Sequence, residues 1–429
     1  MVSLIIVIIL YFGLLYTAYN TQKSAFVGIL IILCCFYDFL FIDISYTLPV
    51  EITTILKPFQ EFIILIGCVL ILLNRNNKET IRISYKKLLM SLCVLIPLIL
   101  SIFSSIINGM EVNILITGFR CFFVPILCTY IVTYKEGINI KPWIFEIISL
   151  LMVIYAIFQV YCFSGNLNEL WVYESQYDSY GENLIDKAYY NYLKNGSLRA
   201  ISFFVTPIDL SITSAACSLF FICTYINLKK FNYLFFSIFS ILGIFLSQTR
   251  IGFFTLLIGI GIIIYLKLNK VAKKKCLIGG PLILIVITLL YVVLIGDIDL
   301  SALGRLTQYI EFNQNFSILG RGLGDQSGVF SYDSFILCCL NLFGISGILY
   351  LSFYILLFSK VIKIYNQKKR DSLITFTIVL SSSMLYVFGF HHIAGSFIYW
   401  LVILLLFNAI AFNNDKRINN TVKKNISYQ

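Results

Sequence analysis

Stretches of about 20 apolar residues, parted by short polar breaks, recur along the whole chain. At ~1.5 Å of rise per residue, a helix of that length crosses the ~30 Å hydrocarbon core of a bilayer. About thirteen such stretches are visible, near residues 2–19, 25–42, 52–73, 88–107, 113–133, 143–162, 205–226, 233–248, 251–267, 276–295, 334–358, 372–390 and 394–412. The 233–267 region reads either as two short spans or as one broken helix. The pattern predicts an all-α polytopic membrane protein with about 12–13 transmembrane helices, because a helix satisfies its own backbone in lipid. No basic residue precedes the first run and no clear cleavage site follows it, so that run is expected to be a retained span rather than a secretory signal.

Composition agrees with this class. The 429 residues are 59% hydrophobic and only 12% charged, with a mean hydropathy of +0.90, a profile that excludes a soluble globular protein. A net charge of +11 raises the question of nucleic acid. The basic residues, however, sit in short blocks between apolar runs, such as Lys273-Lys274-Lys275 and Lys368-Lys369-Arg370, so no nucleic-acid partner is expected. The cysteines lie in spans or at their ends. They show neither a disulfide framework nor zinc spacing with histidine, so we read them as small apolar side chains.

Loop charge gives an orientation. Residues 74–87, 267–275 and 359–370 and the tail are rich in Lys and Arg, and Lys135, Lys141, Lys229 and Lys230 fall on the same side of the alternation. If these face the cytoplasm, the N-terminus is outside and the C-terminus inside. The chain is then one integral membrane domain, 1–429, with two long outer loops at 163–204 and 296–333 and a cytoplasmic tail at 413–429. The first outer loop is rich in Tyr and acidic residues, which suits either sugar rings or an interfacial aromatic belt.

Arginine on the outer side runs against the positive-inside bias. Arg120, Arg199, Arg250, Arg305 and Arg321 all fall there, and the planar fork of arginine suits phosphate. In Gly320-Arg321-Gly322-Leu323-Gly324-Asp325, three glycines let the backbone approach a ligand while the arginine supplies charge. Tyr332-Asp333-Ser334 follows, then an apolar span broken at Phe343-Gly344-Ile345-Ser346-Gly347. Ser247-Gln248-Thr249-Arg250-Ile251-Gly252 joins two spans with almost no loop, so Arg250 must point into protein or a wet cavity, or else snorkel at the interface. Arg120, in Gly118-Phe119-Arg120, lies inside an apolar run and is expected either to pair with an acid or to contact substrate. Asp297-Ile298-Asp299 is too short a match to imply a metal, and His391-His392 reads as an interfacial pair that has the chemistry of a base.

In order along the chain, these segments resemble the O-antigen and capsular polysaccharide polymerases of the Wzy type, within the wider polymerase–ligase superfamily. The resemblance is carried by Arg199 to Pro207, Ser247 to Gly252, Ser301 to Leu306 with Arg305, and above all Gly320 to Gly347, and it covers roughly residues 113–358. Family ligases typically carry His-Asn where this chain has Asp333-Ser334, which favours polymerase over ligase. The resemblance implies a C-type membrane glycosyltransferase architecture that uses neither metal nor other cofactor. Its substrates would be undecaprenyl-diphosphate-linked glycans at the outer face of a bacterial cytoplasmic membrane, with a chain-length regulator and a flippase as neighbours in the pathway. Catalytic roles are expected for Asp333, Arg250 and Arg321, and substrate contacts for Arg120, Arg199, Arg305, Gly320, Gly322, Gly324 and Asp325. The alternatives are an O-antigen ligase and a lipid-linked oligosaccharide flippase. The common flippase type would show two related halves and short outer loops, and this chain shows neither.

Overall fold

The computed structural model describes residues 2–47, 59–74, 85–134, 137–163, 193–194, 197–269, 271–273, 300–324, 332–367 and 371–426. These form a helical bundle: α1 (Val2–Tyr19), α2 (Lys23–Thr47), α3 (Phe59–Leu73), α4 (Tyr85–Ile107), α5 (Val112–Phe122), α6 (Val124–Thr133), α7 (Pro142–Cys162), α8 (Pro207–Leu228), α9 (Phe231–Ser247), α10 (Arg250–Lys267), α11 (Leu300–Asn315), α12 (Phe335–Phe343), α13 (Gly347–Gln367), α14 (Ser372–Phe390) and α15 (Phe397–Ile426). A two-residue hairpin, β1 (Leu193–Lys194) and β2 (Ser197–Leu198), is the only sheet among the described residues. Eight of the described helices are long and apolar enough to cross a membrane, or nine with the bent pair α5–α6 taken as one span; α3, α9 and the apolar part of α15 are shorter. The chain is therefore an all-α, multi-pass membrane protein.

Helix α8 is the hub. Of its span window, 78% is buried, more than in any other span, and it packs against α7, α9, α10 and α14. Lipid supplies no hydrophobic drive between helices, so close approach and interhelical hydrogen bonds must do the work. Small residues provide both. Gly243 of α9 sits against Ser214, and Gly252 of α10 against Ser211, so closely that an added Cβ would fall 2.3 and 1.8 Å from those hydroxyls. Ser149 and Ser240 share a hydrogen bond of 2.7 Å, and Ser218 and Ser237 one of 3.0 Å.

Two spans are broken. Helices α5 and α6 meet at Phe123 with a bend of 40°, just before Pro125. Helices α12 and α13 are separated by a turn of 3-10 helix at Gly344–Ser346, where Gly344 takes φ +58°. Side chains near both breaks meet in one aromatic cluster: Phe122 packs on Phe335, Phe343 and Tyr350, and the Tyr350 and Tyr399 hydroxyls, in contact with each other, share their two protons between that contact and the Phe122 carbonyl.

The helix ends sort into two sets. One end of the bundle carries the ends of α1 and α3, joined by the Asn74 amide donating to the Tyr19 carbonyl, and Lys229, Lys230 and Lys267 lie at or next to the ends of α8, α9 and α10 away from the Asp209–Arg250 side. The opposite end, called the site end below, gathers the C-termini of α4, α9 and α14 with the N-termini of α5, α8, α10 and α12. Two differences from the sequence reading stand out. Residues 300–315, read as part of a loop, form helix α11, and residues 413–426, read as a tail, continue α15 as helix. The 276–295 span and residues 164–192 of the first long loop lie outside the described residues.

Candidate functional site

The glycine-rich segment is not a free loop. It is threaded between the end of α4, the first turns of α5 and the break after α12. The Ser104 hydroxyl donates to the Gly320 carbonyl (2.6 Å), and the Asn108 amide to the Arg321 carbonyl (3.0 Å). The Leu323 N–H donates to the Ser105 hydroxyl at 2.8 Å. On the other side, the Arg321 and Gly322 N–H groups donate to the Asn341 and Leu342 carbonyls (both 2.9 Å), and Ile345 N–H donates to the Ile318 carbonyl (2.9 Å). The Asn341 and Leu342 carbonyls are ones that the helix break would otherwise leave without partners. The interruption of α12 and the glycine-rich segment thus satisfy each other.

Glycine is required at two of these positions. Gly320 (φ +77°) and Gly322 (φ +106°) adopt left-handed backbone, and a Cβ would fall 2.3 Å from the Leu342 carbonyl oxygen and from the Ser105 hydroxyl respectively. Gly118 on α5 lets the Leu323 carbonyl approach so closely that a Cβ would lie 1.7 Å from it. Since Gly118 is six residues into α5, the segment reaches about 9 Å below that helix's start. Arg321 is therefore presented from a fixed backbone at a recessed position, with its own residue half-buried.

Arg199 and Arg250 flank one turn. Gln248 takes φ +51° to reverse the chain between α9 and α10, and Arg250 opens α10. The strand β2 and the residues after it dock on this turn: Ala200 N–H donates to the Leu246 carbonyl (3.0 Å), Arg199 Nε to the Ser247 carbonyl (3.3 Å), and the Gln248 amide to the Ser197 hydroxyl (2.9 Å). Arg250 is exposed and Arg199 half-buried. Arg199 is thus anchored to the turn that Arg250 follows; Arg321 belongs to the same end of the bundle but to a different pair of elements.

Asp333 is exposed and latched to α11. The Gln308 amide donates to Asp333 Oδ2 (3.2 Å), while Asp333 N–H donates to Gln308 Oε1 (3.1 Å). Phe312, one turn on, packs edge-to-face on Tyr332. Ser334 caps α12 and donates to the Phe388 carbonyl at the end of α14 (3.2 Å).

Arg120 makes the acid pair that was one of its two expected contacts. Its Nη2 lies 2.7 Å from Glu61 Oε1, and both side chains are largely buried, facing α3 rather than the glycine-rich segment. Of the remaining expected residues, Arg305 is on α11 with its side chain outside the described set, and Gly324 packs against Ile114. Asp325, Asp297 and Asp299 lie outside the described residues.

A second polar cluster joins residues that no local signal in the sequence links. Asp209, in the first turn of α8, accepts from the Thr206 hydroxyl (2.7 Å), and its Oδ1 lies 3.6 Å from His391 Nε2. His392 packs edge-on against the rings of Phe122 and Phe335. Burial there, and secondarily His391, push its imidazole well below the usual value, so it is neutral. No group of three or more His, Cys, Asp or Glu with metal-binding geometry occurs among the described residues. Two small pockets are apolar; one is lined by Leu30, Cys34 and Trp400, the other by Phe335, Tyr350 and Tyr399, and none of the candidate arginines lines either.

The geometry defines a helical membrane protein with a polar, arginine-bearing end built around interrupted spans. No protein-family model matches the chain, and no curated protein matches it.

Proposed function

We propose that this chain polymerises lipid-linked oligosaccharide repeat units at the outer face of a bacterial cytoplasmic membrane, as a C-type glycosyltransferase similar to the Wzy polymerases. The growing glycan on undecaprenyl diphosphate is the donor, and the sugar hydroxyl of an incoming unit is the acceptor. The hydroxyl oxygen attacks the anomeric carbon, and undecaprenyl diphosphate leaves. Negative charge grows on the leaving diphosphate, so cations fixed beforehand stabilise the transition state more than the ground state.

The observation that carries this reading is the preorganised backbone under Arg321, at the same end as Arg199 and Arg250. A recessed arginine whose backbone is held on both sides is suited to a diphosphate entering from the bilayer, and exposed Asp333 is suited to orienting an acceptor hydroxyl. The cytoplasmic-membrane location, the outward N-terminus and the flippase and chain-length regulator as pathway partners belong to the same proposal.

The test is glycan analysis of cells lacking the chain. A polymerase defect leaves single repeat units on lipid, accessible from the outer face. Full-length polymer retained on the lipid carrier would instead mean a ligase, and repeat units trapped on the inner face a flippase.

A further inference from the structure

We propose that Asp209 and His391 are the proton-accepting pair of this site, with His391 Nδ1 taking the proton of the attacking sugar hydroxyl. The inference rests on the polymerase reading and assigns a step that the arginines cannot perform. Both residues belong to the site end but come from different elements: Asp209 from the first turn of α8, His391 from the residue that ends α14.

Their geometry is that of a base held by an orienting acid. His391 Nε2 lies 3.6 Å from Asp209 Oδ1, within ion-pair reach and just beyond a hydrogen bond, and the two side chains are 17% and 23% exposed. That spacing is usual for a catalytic pair without substrate, which tightens on binding. Nε2 is shielded from solvent and has no hydrogen-bond partner, so Asp209 is the acceptor it faces. A proton on Nε2 leaves the lone pair on Nδ1.

Each partner is held from behind. Thr206 caps α8 and donates its hydroxyl to the other carboxylate oxygen, Oδ2, at 2.7 Å. The His391 backbone N–H donates to the Val387 carbonyl at 2.7 Å, which extends α14 by one bond and fixes where the ring starts. His392 is wedged against Phe122 and Phe335, so the connector cannot rotate freely.

Ser211 of α8 touches Gly252 of α10, so Asp209 and Arg250 belong to the first turns of two packed helices at the same end of the bundle. Asp333 is exposed and already accepts from the Gln308 amide, whereas the His391 ring is held beside a second carboxylate. Asp333 orients the hydroxyl; His391 receives its proton.

The step balances. The acceptor O–H proton moves to Nδ1 as its oxygen forms the new bond to the anomeric carbon. The bond from that carbon to the diphosphate oxygen breaks, and its electron pair leaves with undecaprenyl diphosphate. The imidazolium faces the Asp209 carboxylate until it returns its proton to water.

The chain has two histidines, both in this cluster, which makes the test direct. The purified full-length protein in nanodiscs is treated with diethyl pyrocarbonate with and without undecaprenyl diphosphate, and fragment mass spectrometry separates His391 from His392. Binding of undecaprenyl diphosphate is measured by native mass spectrometry for wild type, His391→Gln and Asp209→Asn, and lipid-linked glycans are profiled in cells carrying each as the sole copy.

We expect undecaprenyl diphosphate to protect His391. Both variants should bind it as wild type does, yet make polymer about 10²- to 10⁴-fold more slowly, accumulating single repeat units. Full-length polymer at wild-type rate in His391→Gln, with undecaprenyl diphosphate still bound, overturns the pair and leaves the polymerase reading standing. Loss of undecaprenyl diphosphate binding in both variants also overturns it, because the pair would then be structural. Failure of the wild type to bind undecaprenyl diphosphate overturns the polymerase reading itself.

Discussion

Gly118→Ala is a single methyl group aimed at the glycine-rich segment from the neighbouring helix. The new Cβ would stand 1.7 Å from the Leu323 carbonyl oxygen and 2.7 Å from its carbon, and both are backbone atoms that cannot swing aside. Ordinary contact near 3.4 Å requires the segment to retreat by about 1.7 Å. That displacement breaks or stretches the bonds that fix it: Leu323 N–H to Ser105, Gly322 N–H to Leu342 and Arg321 N–H to Asn341. Each is worth about 1 kcal/mol net, and overpacking itself costs about 1–3 kcal/mol, so a stability loss of roughly 2–4 kcal/mol is expected. Catalysis should suffer more, since a misplacement of about 1 Å in a positioning group costs on the order of 10²-fold. The control is Gly261→Ala on α10, where nothing lies within 4 Å of the added Cβ and alanine should gain about 0.5–1 kcal/mol of helix stability. Thermal unfolding in detergent and the lipid-linked glycan profile are read for both. Wild-type polymer and an unchanged unfolding temperature in Gly118→Ala would show that the segment does not sit where it is described.

Three further outcomes follow from the same geometry. Arg250→Lys keeps the charge but not the two-pronged contact, so polymer length should collapse at normal protein level, while Arg75→Lys should be silent; wild-type polymer in Arg250→Lys counts against direct contact with substrate. Glu61→Gln should destabilise the protein by about 3–5 kcal/mol by stranding Arg120 in the bundle, whereas the apolar pair Glu61→Leu with Arg120→Met should recover most of the loss and still make polymer. A stable double variant without polymer would return Arg120 to the substrate site. Cysteine labelling from outside should reach positions near 180 and 315 but not 80, 272 or 365; the opposite pattern would invert the orientation read from charge.

Hydropathy made most of the bundle legible because a lipid-facing helix has almost no polar alternative. Runs such as Val2–Tyr19 and Ser372–Phe390 are bounded in the structure nearly where their apolar residues end. The helix at Leu300–Asn315 was hidden by the same logic: it is polar overall, so a scale built to find spans reads it as loop. The glycine-rich segment could be located from its alternating glycines but not its partners. Ser104 on α4 and Asn108 just past its end lie one helical turn apart, more than 200 residues upstream. Arg120 with Glu61, Gln308 with Asp333 and Asp209 with His391 are likewise pairings between distant segments, and nothing local in the chain marks one member as belonging to the other.

The two broken spans explain why polar groups collect at one end. A continuous membrane helix offers no spare backbone donors or acceptors, so a polar site in lipid needs helices that stop short. Helix α12 stops after nine residues, and its free carbonyls fix the Arg321 backbone; α5 gives way to α6 at Phe123, and its Cys121 carbonyl accepts the Gly395 N–H of the connector that carries His391. The Phe122 carbonyl, freed at the same break, is taken by Tyr350 and Tyr399. Each interruption therefore pins a different polar segment below the bundle surface, and the aromatic cluster of Phe122, Phe335 and Phe343 ties the two together. Shifting either break by one residue would rotate its segment by roughly 100° about the helix axis, so the arginine loop and the histidine connector are constrained by a shared core rather than by each other.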